Sequence, residues 1–300
     1  MFAQFPKAAL LPILATTLSS CGGGSTSPVP FTSTSELPAD GTAELQGQAY
    51  TAAYTTNSAD GTTTYGEPSD TQGSSLAITF KNGEQIAISG SAGNSKFDID
   101  TRDGDEIYAR ENSTYYTTDA DSRDDGDVAY LSQTNSNDLD HLVYGAWYDL
   151  DRSNPTTGAG HYGAATPKPD MPNSGSASYR GKGLGIANHD GIHSDTNFDV
   201  TVTTSDFSTI SVQSSNTTWT DGAYKKRSDG TYQLVHDAST LDFSGTGQID
   251  GAGFNANLTS AAGSGTATGS FYGPNAEEVG GSFAISGSGS THIGAFGASR

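Results

Sequence analysis

The chain has 300 residues, a formal net charge of −20 at pH 7 and one cysteine. So negative a charge repels phosphate backbones, which argues against nucleic acid and favours a neutral or cationic ligand or a basic protein. The alternative is that the negative charge serves only to keep a surface protein soluble. With 12 Phe and 14 Tyr the chain is too rich in aromatic residues for a disordered protein, so we expect an ordered one.

The first residues have the pattern of a secretory signal. Lys7 precedes an apolar run from Ala8 to Leu18. This run is too short for a membrane-spanning helix, which needs ~20 apolar residues. We therefore predict a signal peptide over residues 1–20.

A lipidation site follows this signal. The stretch Leu18-Ser19-Ser20-Cys21 resembles the bacterial lipobox, in which the cysteine becomes a lipid-modified N-terminus. The alternative is a coincidental cysteine behind an ordinary signal. Gly22, where an aspartate would favour the inner membrane, favours the outer membrane. Residues 21–41 are rich in Gly, Ser, Thr and Pro, which predicts a flexible tether.

Short runs with apolar residues at every second position come next, and this pattern predicts β-strands. Ser74–Phe80 and Glu84–Gly90 flank Asn82-Gly83, which is a strong hairpin signal. Ser95–Thr101 and Asp105–Glu111 alternate in the same way. We predict that these four runs form a β-meander.

Three segments of different character complete the first half. Tyr116–Asp127 reads as a solvated acidic loop, to which we assign no role, and Leu139–Asp151 as an aromatic strand. Gly158–Gly175 is rich in Gly and Pro and reads as a connection. We place a domain boundary there, with one domain over residues 42–170 and the second over residues 171–300.

The second half contains seven or eight short, evenly spaced strands with many glycines. This pattern predicts an all-β fold with a closed antiparallel barrel. Near its end the chain reads GSFYGPNAEEVGGSFAI, which is two strands around a turn. We expect Phe271 and Phe283 to point inward, Pro274 to begin the turn, and Glu277 and Glu278 to be solvated.

This hairpin resembles the closing signature of the transferrin-binding protein B family of surface lipoproteins. The last strand, with Phe296, Gly297 and Ala298, also fits the family pattern, and Ser174–Gly185 resembles its first barrel strand. The resemblance is weaker before Ser153. The matching hairpin residues are Phe271, Tyr272, Gly273, Pro274, Ala276, Glu278, Gly280, Gly281 and Phe283.

The resemblance implies a fold and a cellular location. The fold is an N-terminal handle domain of antiparallel strands followed by an eight-stranded antiparallel barrel. The location is the outer membrane of a Gram-negative cell, with the protein lipid-anchored at the cell surface. Transferrin binders of the family have two lobes, whereas this chain has room for one handle and one barrel.

The resemblance also implies a function. Family members are binding proteins and not enzymes, and their partners include iron-loaded transferrin, haemoglobin, free haem and complement regulators. We therefore expect a protein that binds a ligand for iron or haem acquisition and works with an outer-membrane transporter. The alternative is a protein-binding surface factor, such as an adhesin or an immune-evasion module, that takes no small molecule.

Four histidines are candidate ligand-binding residues. His189 and His193 lie in the stretch NHDGIHSD, which we place in a loop at a barrel mouth, and His141 and His161 lie among aromatic residues. Imidazole is a ligand for zinc and for haem iron. The alternatives are solvated loop histidines for the first pair and core histidines for the second. We predict no metal site, no catalytic residue and no resident cofactor, and treat haem as a ligand.

Overall fold

The computed structural model describes residues 29–57, 59, 62–109, 113–118, 126–132, 139–150, 153–189, 192–220, 235–287 and 289–300. Within these ranges the fold is all-β, as predicted. The described part contains no helix long and apolar enough to cross a membrane. Its five 3-10 helices are Thr34–Glu36, Thr101–Asp103, Lys168–Asp170, Ser239–Leu241 and Pro274–Ala276. The predicted signal peptide and Cys21 lie outside the described residues.

Eleven strands form the N-terminal sheet. They are β1 (Val29–Pro30), β2 (Gly41–Thr56), β3 (Thr63–Tyr65), β4 (Gln72–Lys81), β5 (Glu84–Ala92), β6 (Ser95–Asp100), β7 (Glu106–Ala109), β8 (Ser113–Thr117), β9 (Asp127–Ser132), β10 (Leu142–Asp149) and β11 (Thr156–Gly163). Their order is β6-β5-β4-β2-β11-β10-β9-β8-β7, and β1 and β3 also pair with β2. The predicted Asn82-Gly83 hairpin joins β4 and β5, and both of its turn residues have positive φ.

The predicted meander is wrong at its last step, because β6 and β7 lie at opposite ends of the sheet. Only the short segment Thr101–Asp105 joins them, so the sheet must curl until its two edges approach each other. The curl is also visible in hydrogen bonds: the backbone N–H groups of Lys96 and Asp98 on β6 donate to the carboxylates of Asp149 and Asp127. These carboxylates cover an edge that would otherwise be open to pairing.

Two further predictions for this half need correction. The tether does not extend to residue 41, because β1 pairs with β2 and Phe31 is buried in the core of the sheet. The stretch from Gly158 to Gly163 is not a connection but most of β11, which lies between β2 and β10. A Cβ at Gly158 would lie 2.2 Å from the ring of Trp147. This glycine therefore makes room for a buried aromatic ring and does not mark a turn.

The C-terminal barrel has eight strands and is closed by pairing between its second and third strands. A ninth, short strand pairs only with the third. The nine strands are β12 (Ala177–His189), β13 (Ile192–Thr204), β14 (Thr209–Thr220), β15 (Val235–Asp237), β16 (Phe243–Asp250), β17 (Gly253–Ser260), β18 (Gly263–Tyr272), β19 (Glu278–Gly287) and β20 (Ser290–Ser299). The predicted barrel is thus confirmed.

The barrel is filled by aromatic side chains. Phe271 and Phe283 are fully buried in its core, as expected from the sequence. Gly269 and Gly281 face each other on β18 and β19. A Cβ on Gly269 would lie 2.3 Å from the ring of Phe254. In the repeated Gly-Ser-Phe step, the Phe therefore fills the core and the Gly leaves room for a ring from another strand.

The N-terminal sheet and the barrel pack face to face and share an apolar interface. Strands β2, β10 and β11 lie against β12, β19 and β20. Buried side chains from both partners, including Leu142 and Tyr144 on one side and Leu184 and Ile293 on the other, form one cluster. The two sheets are therefore held by a core of their own and not only by the connecting chain.

The last residue of the chain closes the end of the barrel. The Arg300 guanidinium lies over the rings of Tyr179 and Phe207, 5.5 and 5.7 Å from their centroids. Its Nη2 also donates to the carbonyl of Asn275. Because Arg300 is exposed, we expect Arg300→Ala to lower the free energy of unfolding by only about 1 kcal/mol. Arg300→Lys should recover part of this loss in chemical unfolding, and a null effect of Arg300→Ala would contradict a stacking role.

Candidate functional site

The closing hairpin divides its side chains between the barrel and the interface. Phe271 and Phe283 point into the barrel, whereas Tyr272 is buried among the residues that join the two sheets. On the same side, a Cβ on Gly280 would lie 3.2 Å from Leu142 and one on Gly273 would lie 2.4 Å from the His141 ring. The Pro274–Ala276 turn forms as predicted. Tyr272, Gly273 and Gly280 of the motif thus face the N-terminal sheet, and the two glycines let the hairpin approach it closely.

Glu278 is not the solvated turn residue that the sequence predicts. It is only 5% exposed, and its two carboxylate oxygens accept the backbone N–H groups of Asp140 and His141 at 2.5 and 3.0 Å. Burial raises the pKa of the Glu278 carboxyl group. The neighbouring Glu277 does remain largely exposed. A glutamate of the barrel therefore binds the segment that leads into β10 of the N-terminal sheet.

His141 and His161 both lie at this interface, His141 beside Gly273 and His161 beside Tyr272. The Nδ1 atom of His141 lies 3.1 Å from the carbonyl oxygen of Thr32. His161 is 1% exposed and its ring meets the Tyr272 ring edge-on at 6.2 Å. Burial lowers the pKa of His161 to about 3, so its imidazole is neutral. The burial of His161 agrees with the alternative that it is a core histidine.

His189 and His193 do not lie in a loop, because β12 runs to His189 and β13 begins at Ile192. In this hairpin His193 stands opposite Asn188, while His189 stands opposite Ile192. The side chain of His189 lies outside the described part. The alternative of a solvated loop histidine does not fit His193, because its ring packs against those of Tyr65 and Tyr148, and this partial burial lowers its pKa to about 4.

His193 lies instead among tyrosines of the N-terminal sheet. Its Nδ1 is 2.6 Å from the Tyr65 hydroxyl, and its ring stacks on that of Tyr65 at 5.6 Å. The ring of Tyr148 lies 4.8 Å away. Next to it Asp195, 6% exposed, accepts hydrogen bonds from the hydroxyls of Tyr130 and Tyr148. Burial raises the pKa of Tyr65, so this phenol stays protonated.

The three candidate histidines with described side chains contact different groups: His141 the Thr32 carbonyl, His161 the Tyr272 ring and His193 the Tyr65 hydroxyl. His161 and His193 are covered by the opposing sheet, so binding iron through either would require the two sheets to separate. Among the described residues there is no group of three or more His, Cys, Asp and Glu side chains that could hold a metal ion. The sequence reading also missed His292, a buried barrel histidine whose Nε2 lies 2.9 Å from Thr196 Oγ1.

A cleft of about 630 Å³ opens where the N-terminal sheet meets β17 and β18. Its two walls are joined by hydrogen bonds between Tyr50 and Thr266 and between Thr71 and Thr268. Its lining consists mainly of amide and hydroxyl side chains and, among the described residues, includes no Lys, Arg or His. Sequence reasoning did not find this cleft, because its residues come from two sheets that are distant in the chain.

Comparison with known proteins bears on the barrel. Residues 171–300 match the family described as the C-lobe and N-lobe beta barrels of Tf-binding protein B. The matched residues include every strand of the C-terminal barrel. The resemblance recognised in the closing hairpin is therefore confirmed for the part of the chain that carries it. No curated protein matches the chain.

Several solved structures resemble the chain over most of its length at low identity. A transferrin-binding protein B variant of Haemophilus parasuis Hp5 is 15% identical with a TM-score of 0.41, covering 88% of this chain and 77% of that one. A variant from Actinobacillus pleuropneumoniae H49 is 12% identical with a TM-score of 0.43, covering 84% and 98%. The haemoglobin receptor HpuA of Kingella denitrificans is 14% identical with a TM-score of 0.38, covering 91% and 93%.

Proposed function

We propose that this protein binds an iron- or haem-carrying host protein at the bacterial cell surface. The observation that supports the proposal is the match of residues 171–300 to the barrels of a transferrin-binding protein. In this proposal the protein works as a binding protein and catalyses no reaction. Its two packed sheets provide a rigid platform, and the loops at their ends provide the contacts with the partner.

The burial of the histidines favours a protein partner over haem held by this chain. His161 is buried in the interface, His193 is partly buried against Tyr65 and Tyr148, and the ring of His141 covers Gly273. Haem would have to compete with the packing of the two sheets at each of these positions. Ligation by His189 stays a prediction, since its side chain lies outside the described residues.

The proposal includes an anchor and a division of the chain. Cys21 would carry the lipid and hold the protein at the outer membrane. Residues 42–170 would form the handle and residues 171–300 the barrel that supports it. An outer-membrane transporter that receives the iron or haem would be a further partner.

A binding experiment with the body of the protein after Gly24 tests this function. Haemoglobin, iron-loaded and iron-free transferrin, and haemin alone are passed over the immobilised protein. We expect saturable binding of one of the loaded proteins, with a Kd of about 10 μM or lower. A serum protein that carries neither iron nor haem is the matched control.

Two outcomes would overturn the proposal in different ways. A sharp Soret shift at one equivalent of haemin, without binding of any loaded protein, would make the chain a haem scavenger. Binding of only the control protein, or of other host proteins without iron or haem, would make it an adhesin or an immune-evasion factor.

A further inference from the structure

We propose that the cleft between the N-terminal sheet and strands β17 and β18 binds a neutral oligosaccharide. The inference does not rest on the proposed function, because the cleft involves none of the candidate histidines. It rests on three features: the chemistry of the side chains that face the cleft, the absence of cationic side chains among its described residues, and the polar outer face of the barrel beside it.

Unused hydrogen-bonding groups from both sheets face the cleft. Within the described part of the chain, the amides of Gln48, Asn255 and Asn257 have no side-chain hydrogen-bond partner, and neither do the carboxylates of Asp70 and Asp250. A sugar hydroxyl both donates and accepts, and an amide offers both complementary groups. A carboxylate adds a strong acceptor for a hydroxyl donor. The arrangement is therefore suited to a polyhydroxylated ligand.

The charges of the cleft and of the whole chain argue against anionic and cationic ligands. The residues that the structure describes around the cleft include two carboxylates and no Lys, Arg or His, in a chain of net charge −20. A phosphorylated, sulfated or sialylated ligand would meet repulsion without a compensating cation. A cationic peptide would find only Asp70 and Asp250, both exposed, and exposed ion pairs contribute little. A neutral ligand is the class that avoids both penalties.

The outer face of the barrel continues this neutral lining beyond the cleft. On β14, β16, β17 and β18 three successive rows of outward side chains consist only of Ser, Thr, Asn and Gln. In the middle row Ser211, Thr246, Asn257 and Thr266 stand side by side in register. Neighbouring strands lie about 4.8 Å apart, so the rows present closely spaced hydrogen-bonding groups to a chain of several sugar units.

The cleft is also preorganised. The hydrogen bond from Tyr50 to Thr266, 3.0 Å long, and that between Thr71 and Thr268, 3.2 Å long, tie its two walls together. Behind the walls lie the shared core of the two sheets and the core of the barrel. A ligand would therefore bind without ordering a loop, which keeps the entropic cost of binding low.

A glycan array of neutral, sialylated and sulfated oligosaccharides, followed by calorimetric titration of the hits, tests the proposal. We expect saturable binding of neutral oligosaccharides only. The double variant Asn255→Ala/Asn257→Ala should weaken this binding at least about tenfold. The matched control Thr201→Ala/Thr203→Ala changes outward-facing residues of β13, which belongs neither to the three rows nor to the cleft, and should bind as the parent does. Thermal unfolding establishes that both variants fold.

A second arm distinguishes the sources of the sugar. An acidic glycoprotein with neutral N-glycans is titrated before and after enzymatic removal of the glycans. Binding that disappears with the glycans shows that protein-attached sugar is recognised, whereas binding of free oligosaccharides alone indicates a polysaccharide ligand. The proposal is overturned if no neutral glycan binds or if only sulfated glycans bind. It is also overturned if hexalysine, which represents a cationic peptide, binds and the neutral glycans do not, or if both double variants lose binding equally.

Discussion

Replacement of Glu278 by alanine is expected to lower the free energy of unfolding by about 3 kcal/mol. The carboxylate accepts two backbone N–H groups of the segment that leads into β10, and hydrogen bonds to a charged acceptor are stronger than neutral ones. Alanine leaves these donors at the interface without their acceptor. In a protein of this size the loss corresponds to a fall in Tm of roughly 6–12 °C, measured by calorimetry.

The adjacent glutamate provides the control. Glu277 is next in sequence, carries the same charge and has a side chain that is 54% exposed. Glu277→Ala should change stability by less than about 0.5 kcal/mol. Glu278→Gln should fall between the two, because its amide keeps one carbonyl acceptor and burial already disfavours the charged form of Glu278. Equal losses at both glutamates would show that the bonds of Glu278 do not hold the interface.

The architecture of the barrel was predictable because its signals are local. Alternation in β16 and β17 places Phe243, Phe254 and Leu258 inside. Turns follow from residues such as Pro274, and each strand pairs with its neighbour in sequence for most of the circuit. A short-range pattern is then enough to fix both the strands and their order.

The N-terminal sheet was predicted less well because its pairings are distant in sequence. Strand β11 pairs with β2, about a hundred residues earlier, and has three glycines and one alanine among its eight residues. The glycines read as loop signals, although Gly158 leaves room for Trp147 and Gly160 for Tyr162. The separation of β6 from β7 likewise depends on the curl of the whole sheet, which no local pattern encodes.

Contacts at the interface between the two sheets were also hard to predict, because the partners are distant in sequence. The sequence marks His193 as a possible ligand because of its neighbours Asp190 and Asp195, but its contact in the fold is Tyr65, 128 residues away. Glu278 looks solvated because it follows a turn, yet its partners are 137 and 138 residues away. Buried polar contacts between two sheets depend on how the sheets dock, so residue type alone does not reveal them.

Acid is expected to destabilise this interface through its buried histidines. Burial lowers the pKa of His161 from 6.5 to about 3 and that of His193 from 6.5 to about 4. The unfolded chain therefore binds protons that the folded chain does not over this range. The stability from each group is fully present above pH 6.5 and is lost as the pH falls toward its folded pKa. At pH 5 the loss is about 2 kcal/mol for each of the two histidines.

Carboxyl groups with raised pKa values, among them Asp127, Asp98 and Glu278, act in the opposite direction. Burial raises the pKa of Asp127 from 3.8 to about 7. Its contribution is fully present below pH 3.8 and is lost as the pH rises through 7. In the parent protein, the free energy of unfolding therefore depends on pH through opposing contributions. The share of one histidine can be measured only as the difference between the parent and a variant that lacks it.

His161→Leu isolates that share. Urea unfolding at pH 7.5 and pH 5 should show the variant losing about 2 kcal/mol less than the parent over this interval. Tyr272→Phe is the matched control, because it alters the partner of the His161 ring and leaves the titrating group in place. It should retain the parent's acid loss. Because His161 lies between the two sheets, identical pH dependence in parent and His161→Leu would mean that acid does not act on the interface through His161.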